Sequence, residues 1–230
     1  MRTLFRPAPC PAPDLALPST RPRRLALIGR RQAAFALVAA PWIWTGARAQ
    51  SPVRLRPTPS QIEGPFYPVA LPADTDHDLL QNGARRYSGG TPAWVEGRLT
   101  DLDGRALQGA VVEIWQCDQA GHYHHPRDGD RADPAFQGFG RTVVGGDGAW
   151  RFHTLRPAPY TGRTPHIHLK VRLGQRELLT TQLYVEGDPG NAGDALWRRL
   201  DAQGRQALTR PFVAEGGGAL RARYALAVAA

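Results

Sequence analysis

The chain has 230 residues, a formal net charge of +9 and two cysteines. Residues 1–49 hold eight arginines against one acid, Asp14, and so carry +7 of that charge; residues 50–230 carry about +2, with no concentrated basic stripe, which excludes a nucleic-acid-binding body. Cys10 lies in the basic end, so Cys117 stands alone in the remainder and no internal disulfide framework is available there.

In chain order, Arg23-Arg24 and Arg30-Arg31 precede an apolar run from Ala33 to Trp44 and then Ala47-Arg48-Ala49. That order reads as an export signal over residues 1–49, with paired arginines pointing to twin-arginine export and general secretion as the other route. The apolar run, broken by Pro41, falls short of the about 20 residues a membrane span needs. The expected location is periplasmic or extracellular, and residues 50–230 are expected to form one domain, long enough to bury a core without staples.

Gln61 to Pro68 is an arm rich in proline and aromatic residues, and Ala70 to Gly90 lacks periodicity and is expected to be loop. From Ala93 onward short alternating runs are separated by turn residues. Trp94 to Leu99 and Ala110 to Gln116 flank Asp101-Leu102-Asp103-Gly104, and Arg141 to Val144 and Ala149 to Leu155 flank Gly145-Gly146-Asp147-Gly148. His166 to Leu173, Leu178 to Val185 and Arg221 to Val228 follow, and only Asp194 to Leu208 suits a helix. Spacing of this kind predicts an all-β fold, an antiparallel β-sandwich with little helix. Cys117 follows an apolar strand and is expected to be a packed small side chain.

The chemistry concentrates in Tyr160-Thr161-Gly162-Arg163-Thr164-Pro165-His166-Ile167-His168. Alternate strand residues share a face, so His166 and His168 project to the same side and can hold one ion. Gly121-His122-Tyr123-His124-His125 supplies a second phenol. Zinc sites favour Cys, His and carboxylate, and copper sites favour His with Cys or Met. Two phenols with two imidazoles suit a harder ion, Fe(III), which favours anionic oxygen.

Gly121-His122-Tyr123, Pro157-Ala158-Pro159-Tyr160 and Arg163-Thr164-Pro165-His166-Ile167-His168 resemble, in order, the ligand motifs of intradiol ring-cleavage dioxygenases. Ile62-Glu63-Gly64-Pro65-Phe66-Tyr67, Phe139-Gly140-Arg141 and Thr181-Gln182-Leu183-Tyr184-Val185-Glu186-Gly187-Asp188-Pro189 resemble flanking segments of protocatechuate dioxygenase subunits, so the likeness runs from about Gln61 to Asp188. The resemblance implies a prealbumin-like sandwich with long active-site loops and one non-haem Fe(III) held by Tyr123, Tyr160, His166 and His168, with Tyr160 and His168 axial. It implies that Tyr160 yields its place to a catechol-type diol and takes a proton, and that Arg163 and Gln182 lie beside the substrate ring. O2 would be the co-substrate and a cis,cis-muconate-type diacid the product.

Only Thr161 and Gly162 separate Tyr160 from Arg163, a shorter insertion than the family generally carries, so a more open pocket is expected. Tyr67 is expected near the site mouth, and self-association into a homo-oligomer fits an open sandwich edge. Two other readings remain at this level. A prealbumin-like binding sandwich would need neither phenols nor Arg163, and a zinc or copper site would draw on His122, His124 and His125 together with His166 and His168. His77 and His153 receive no function.

Overall fold

The computed structural model describes residues 54–230; the expected export signal lies outside the described residues. Among the described residues eleven strands run in chain order: β1 (Gln81–Asn82), β2 (Arg85–Arg86), β3 (Pro92–Asp101), β4 (Val111–Trp115), β5 (Phe139–Val143), β6 (Ala149–Leu155), β7 (His166–Leu173), β8 (Arg176–Val185), β9 (Thr209–Arg210), β10 (Val213–Ala214) and β11 (Leu220–Val228). Two short helices, α1 (Ala195–Arg199) and α2 (Ala202–Leu208), fill the segment expected to be helical. No helix among the described residues is long and apolar enough to cross a membrane.

The strands form a four-stranded sheet in the order β10-β11-β3-β6 and a five-stranded sheet in the order β5-β4-β7-β8-β9, with β1 and β2 as a separate hairpin. Alternation puts Val112, Ile114, Ile167, Leu169, Val171, Leu179 and Leu183 of the larger sheet in one core with Val95, Leu99, Trp150, Phe152, Tyr224 and Leu226 of the smaller. Each buried aliphatic side chain contributes about 1.5–3 kcal/mol relative to exposure, so the two inner faces hold the sandwich together.

The pairing is not wholly antiparallel, as the turn spacing suggested. β11 pairs with β3 in parallel, and β9 pairs with β8 in parallel. Hairpin turns fix direction only between neighbours in sequence, and both of these pairs are joined by long connections. The stretch Ala70 to Gly90 also carries more structure than expected: it contains the β1–β2 hairpin, and Leu79 and Leu80 are buried in the main core. Cys117 is buried, with Sγ 3.5 Å from the Ala158 carbonyl oxygen, as its packing role required.

The outer face of the five-stranded sheet positions the site. On β7 the odd residues enter the core, so His166, His168 and Lys170 point away from it. Trp115 on β4 and Gln182 on β8 sit directly beside His168, and Tyr184 sits beside His166. The arm Gln61–Tyr67 lies over this face. Gln61 N–H donates to the Thr180 carbonyl (2.8 Å), and Gln182 Nε2 donates to the Ile62 carbonyl (3.2 Å).

Candidate active site

His166 Nδ1 lies 2.7 Å from the Thr164 carbonyl oxygen. A carbonyl only accepts, so Nδ1 carries the hydrogen and Nε2 bears a lone pair. That Nε2 is 3.2 Å from His168 Nε2, and both rings are fully buried. His168 is held flat against Trp115, with centroids 4.8 Å apart and planes within 9°. Gly64 crosses above it with φ of +79°, and a Cβ there would stand 3.2 Å from His168 Cε1. The arm approaches this closely because glycine has no side chain and tolerates the left-handed conformation.

The two phenols come from loops. Tyr123 follows β4; it is buried, and its hydroxyl has no hydrogen-bond partner. Its ring packs on Phe66 (4.4 Å) and edge-on to Tyr160 (5.3 Å). Tyr160 opens a four-residue turn closed by Arg163 N–H to the Tyr160 carbonyl (2.9 Å), with Gly162 at φ +76° in the third position, the place a type II turn reserves for glycine. Thr161 and Gly162 are exposed, so the short connection leaves that side of the site uncovered. The Tyr160 and His166 rings are 5.4 Å apart. Tyr123, Tyr160, His166 and His168 therefore lie together.

Arg163 joins the cluster through three bonds. Nη1 donates to Tyr160 Oη (3.3 Å), Nη2 to Gln182 Oε1 (2.6 Å) and Nε to Asp194 Oδ2 (2.7 Å). Tyr184 Oη lies 3.1 Å from Gln182 Oε1 and 3.0 Å from Gln61 Oε1. Asp194 and Tyr184 were not singled out by sequence reasoning. Asp194 is 31 residues from Arg163 and reads locally only as a helix start, which it also is.

Burial sets the protonation states. His166 is lowered to about 4 by burial and by the Arg163 cation, and His168 lies well below the ordinary histidine value through burial, His166 and Arg163. Burial raises the Tyr123 phenol well above its ordinary value, and raises Tyr160 against the opposing pull of Arg163. The cluster is thus two neutral imidazoles and two neutral phenols near pH 7. The buried Tyr123 hydroxyl has no partner, and the His166 Nε2 lone pair meets only His168 Nε2, at 3.2 Å. A multiply charged cation would engage both ring nitrogens and the hydroxyl oxygen and take the place of the phenol protons, so the donor set fits a hard trivalent ion.

The remaining histidines lie apart. His124 Nε2 is 2.6 Å from the Phe136 carbonyl, His125 Nδ1 accepts from Arg127 N–H (3.1 Å), and His122 Nδ1 is 3.6 Å from Asp128. His153 bonds Asp78 (2.9 Å) and stacks on Trp94. Among the described residues no three His, Cys, Asp or Glu side chains converge as a metal cluster, and His122, His124 and His125 each face partners of their own. Tyr67 departs from expectation: its hydroxyl donates to buried Glu113 (2.9 Å). Its ring covers the ammonium of Lys170, the chain's single lysine, at 4.0 Å. Lys170 in turn pairs with Glu63 and with Glu177 (3.3 Å). Tyr67 anchors the arm instead of offering its hydroxyl to the site.

Residues 62–210 match the family model described as Dioxygenase. The chain is 33% identical over 161 residues to the protocatechuate 3,4-dioxygenase beta chain of Burkholderia cepacia, covering 64% of this chain and 68% of that one. It is 32% identical over 149 residues to hydroxyquinol 1,2-dioxygenase of Nocardioides simplex, covering 57% of this chain and 48% of the relative. Among solved structures, the dioxygenase domain of a dioxygenase carbohydrate-binding protein fusion from Streptomyces sp. SirexAA-E superposes with a TM-score of 0.60 at 30% identity, over 76% of this chain and 99% of the other. The chain belongs to the intradiol ring-cleavage dioxygenase family of oxidoreductases. It spans about half the length of the hydroxyquinol and catechol 1,2-dioxygenases it matches.

Proposed function

We propose that this chain is a non-haem Fe(III) intradiol dioxygenase that cleaves a catechol-type aromatic diol between its hydroxylated carbons, with O2, to a cis,cis-muconate-type diacid. The observation that carries this reading is the meeting of two buried imidazole Nε2 atoms 3.2 Å apart, a buried unpartnered phenol and a second phenol under a fixed guanidinium. Tyr123, Tyr160, His166 and His168 would hold the metal. When bound, ferric iron supplies Lewis acidity toward the diol oxygens and withdraws electron density from the ring that meets O2.

The protein's own groups divide the remaining work. His166 and His168 are neutral donors, with His166 oriented by Thr164. Tyr160 is the more accessible phenol, and its Oη would accept a proton as the diol enters. Arg163, always cationic, would face the negative charge that develops on the substrate, aided by the Gln182 amide. Phe66 and Trp115 keep water from the inner side, whereas the exposed Thr161-Gly162 turn leaves the outer side open to ring substituents. The reading includes cleavage of residues 1–49 during export, action outside the cytoplasm by the domain of residues 50–230, and assembly of that domain into a homo-oligomer.

The test is metal analysis and a visible spectrum of the purified protein, followed by anaerobic addition of catechol. The proposal requires about one iron per chain and a broad phenolate-to-iron band that shifts with catechol. A chain that stays colourless after Fe(III) reconstitution would sink it.

A further inference from the structure

An arginine on an exposed turn is a poor electrostatic tool unless its long side chain is fixed, since a displacement of about 1 Å at a reacting centre costs on the order of 100-fold in rate. Arg163 sits at the end of the Thr161-Gly162 turn, yet its guanidinium is held on three edges. Tyr160 and Gln182 belong to the site itself. The third partner, Asp194, does not; it lies at the start of α1.

The Asp194 carboxylate is 1% exposed and accepts from four donors. Oδ1 takes the Leu196 and Trp197 amides at 2.9 and 3.0 Å, capping α1, while Oδ2 takes Arg163 Nε at 2.7 Å and the Thr164 amide at 3.2 Å. A carboxylate already fixed by a helix end offers the guanidinium a rigid point of attachment. The bond through Nε also orients the planar fork, so both terminal nitrogens turn toward the site. The Thr164 bond acts on the same centre by a second route, because the Thr164 carbonyl orients the His166 ring. Gln61 Nε2 donates to the Leu196 carbonyl (3.2 Å), tying the arm to the same helix.

We propose that Asp194 is a positioning residue of this site: its buried carboxylate sets the plane of the Arg163 guanidinium, so that Nη1 meets Tyr160 Oη and Nη2 meets Gln182. The catalytic consequence rests on the dioxygenase reading; the contact stands on geometry alone. Asp194 touches neither substrate nor metal and acts through Arg163.

Two variants separate the helix cap from the charge. Asp194→Asn keeps the shape and one acceptor oxygen, and Asp194→Ser keeps a good cap with a side chain too short to reach the guanidinium. In the full metal-free chain, the Arg163 Nε–H resonance, assigned by its loss in Arg163→Lys, should exchange slowly in the parent and at least about 10-fold faster in both variants. In the iron-loaded chain, Asp194→Asn should lower kcat on catechol about 30-fold, move KM less than about 3-fold and leave the phenolate-to-iron band in place. Placed on Arg163→Ala, the same change should cost less than about 3-fold more, because the group it positions is gone.

An Nε–H that stays protected in both variants overturns the proposal, as does a kcat loss of equal size in both backgrounds. If the parent takes up no iron, the dioxygenase reading falls, while the exchange measurement still decides the contact.

Discussion

The Phe66 ring lies nearly parallel to that of Tyr123, with centroids 4.4 Å apart and planes 21° from coincidence. The arm residue also packs edge-on to Tyr160 and His125, so one side chain from the start of the domain seals the phenols from two separate loops. Phe66→Ala should lower stability by about 1–2 kcal/mol, since the ring is only partly buried. It should also admit water to Tyr123 and speed iron loss to a chelator. Chemical denaturation, with decay of the visible band in EDTA, measures both effects.

Tyr123→Phe separates a metal ligand from a core tyrosine. The parent hydroxyl is buried without a partner, so its removal should leave the metal-free protein as stable as the parent, or more stable by about 1 kcal/mol. Iron affinity should fall steeply and the phenolate band should weaken. Urea denaturation of the metal-free chain beside an Fe(III) titration makes the comparison; a large stability loss with iron binding intact would contradict the assignment.

Histidine burial makes the metal-free protein acid-sensitive in a defined window. The unfolded chain protonates His166 near pH 6.5, the folded chain only near pH 4. Between these values the unfolded state binds more protons, so stability is full above pH 6.5 and declines as pH falls toward 4. The His166 share is about 3 kcal/mol, and the lowered His168 acts in the same direction. Melting temperature against pH should show this decline, and His166→Gln should flatten it.

Gly64 carries the arm past the His168 ring. Gly64→Ala places a methyl 3.2 Å from His168 Cε1 on a backbone with φ of +79°. The left-handed conformation alone costs an L-residue about 1–2 kcal/mol. The variant should melt several degrees lower, and its visible band should shift as His168 moves; thermal denaturation and the spectrum report the two parts.

The ammonium of Lys170 is enclosed, but its partners Glu63 and Glu177 keep 43% and 47% of their side chains exposed. Lys170→Met leaves those two carboxylates to solvent and keeps the contact with the Tyr67 ring, but it removes the cation cross-strand from buried Glu113, which retains only the Tyr67 hydroxyl. Stability should fall by about 1–3 kcal/mol, with the arm still seated. Denaturation and limited proteolysis near Gln61 to Tyr67 test this.

Most of the sandwich was legible because alternation is a local property. His166 to Leu173 was bounded to the residue, and Trp94 to Leu99 lies within the observed β3. The four-donor cluster was legible for the same reason at one end: His-x-His on a strand fixes a common face. The phenols could be placed only by their family motifs, since nothing in a loop sequence states where its side chain ends. Asp194 stayed hidden because capping a helix and gripping an arginine use different oxygens of one carboxylate, and only the first leaves a local signature. The parallel partners of β8 and β3 stayed hidden because a strand's own pattern does not name its neighbour. The β1–β2 hairpin was too short to show a period.

The insertion of Leu220–Val228 between β10 and Pro92–Asp101 orders events in time. The smaller sheet cannot close until its last strand has been made, although β3 and β6 are synthesised long before. Until then the apolar residues of β3, Val95 and Leu99 among them, have one edge without a neighbour, and contacts between segments so distant in sequence form slowly. The newborn chain therefore passes through a stage in which a nearly complete larger sheet waits beside an open pair of strands, and that interval is when a chaperone would find the most to hold.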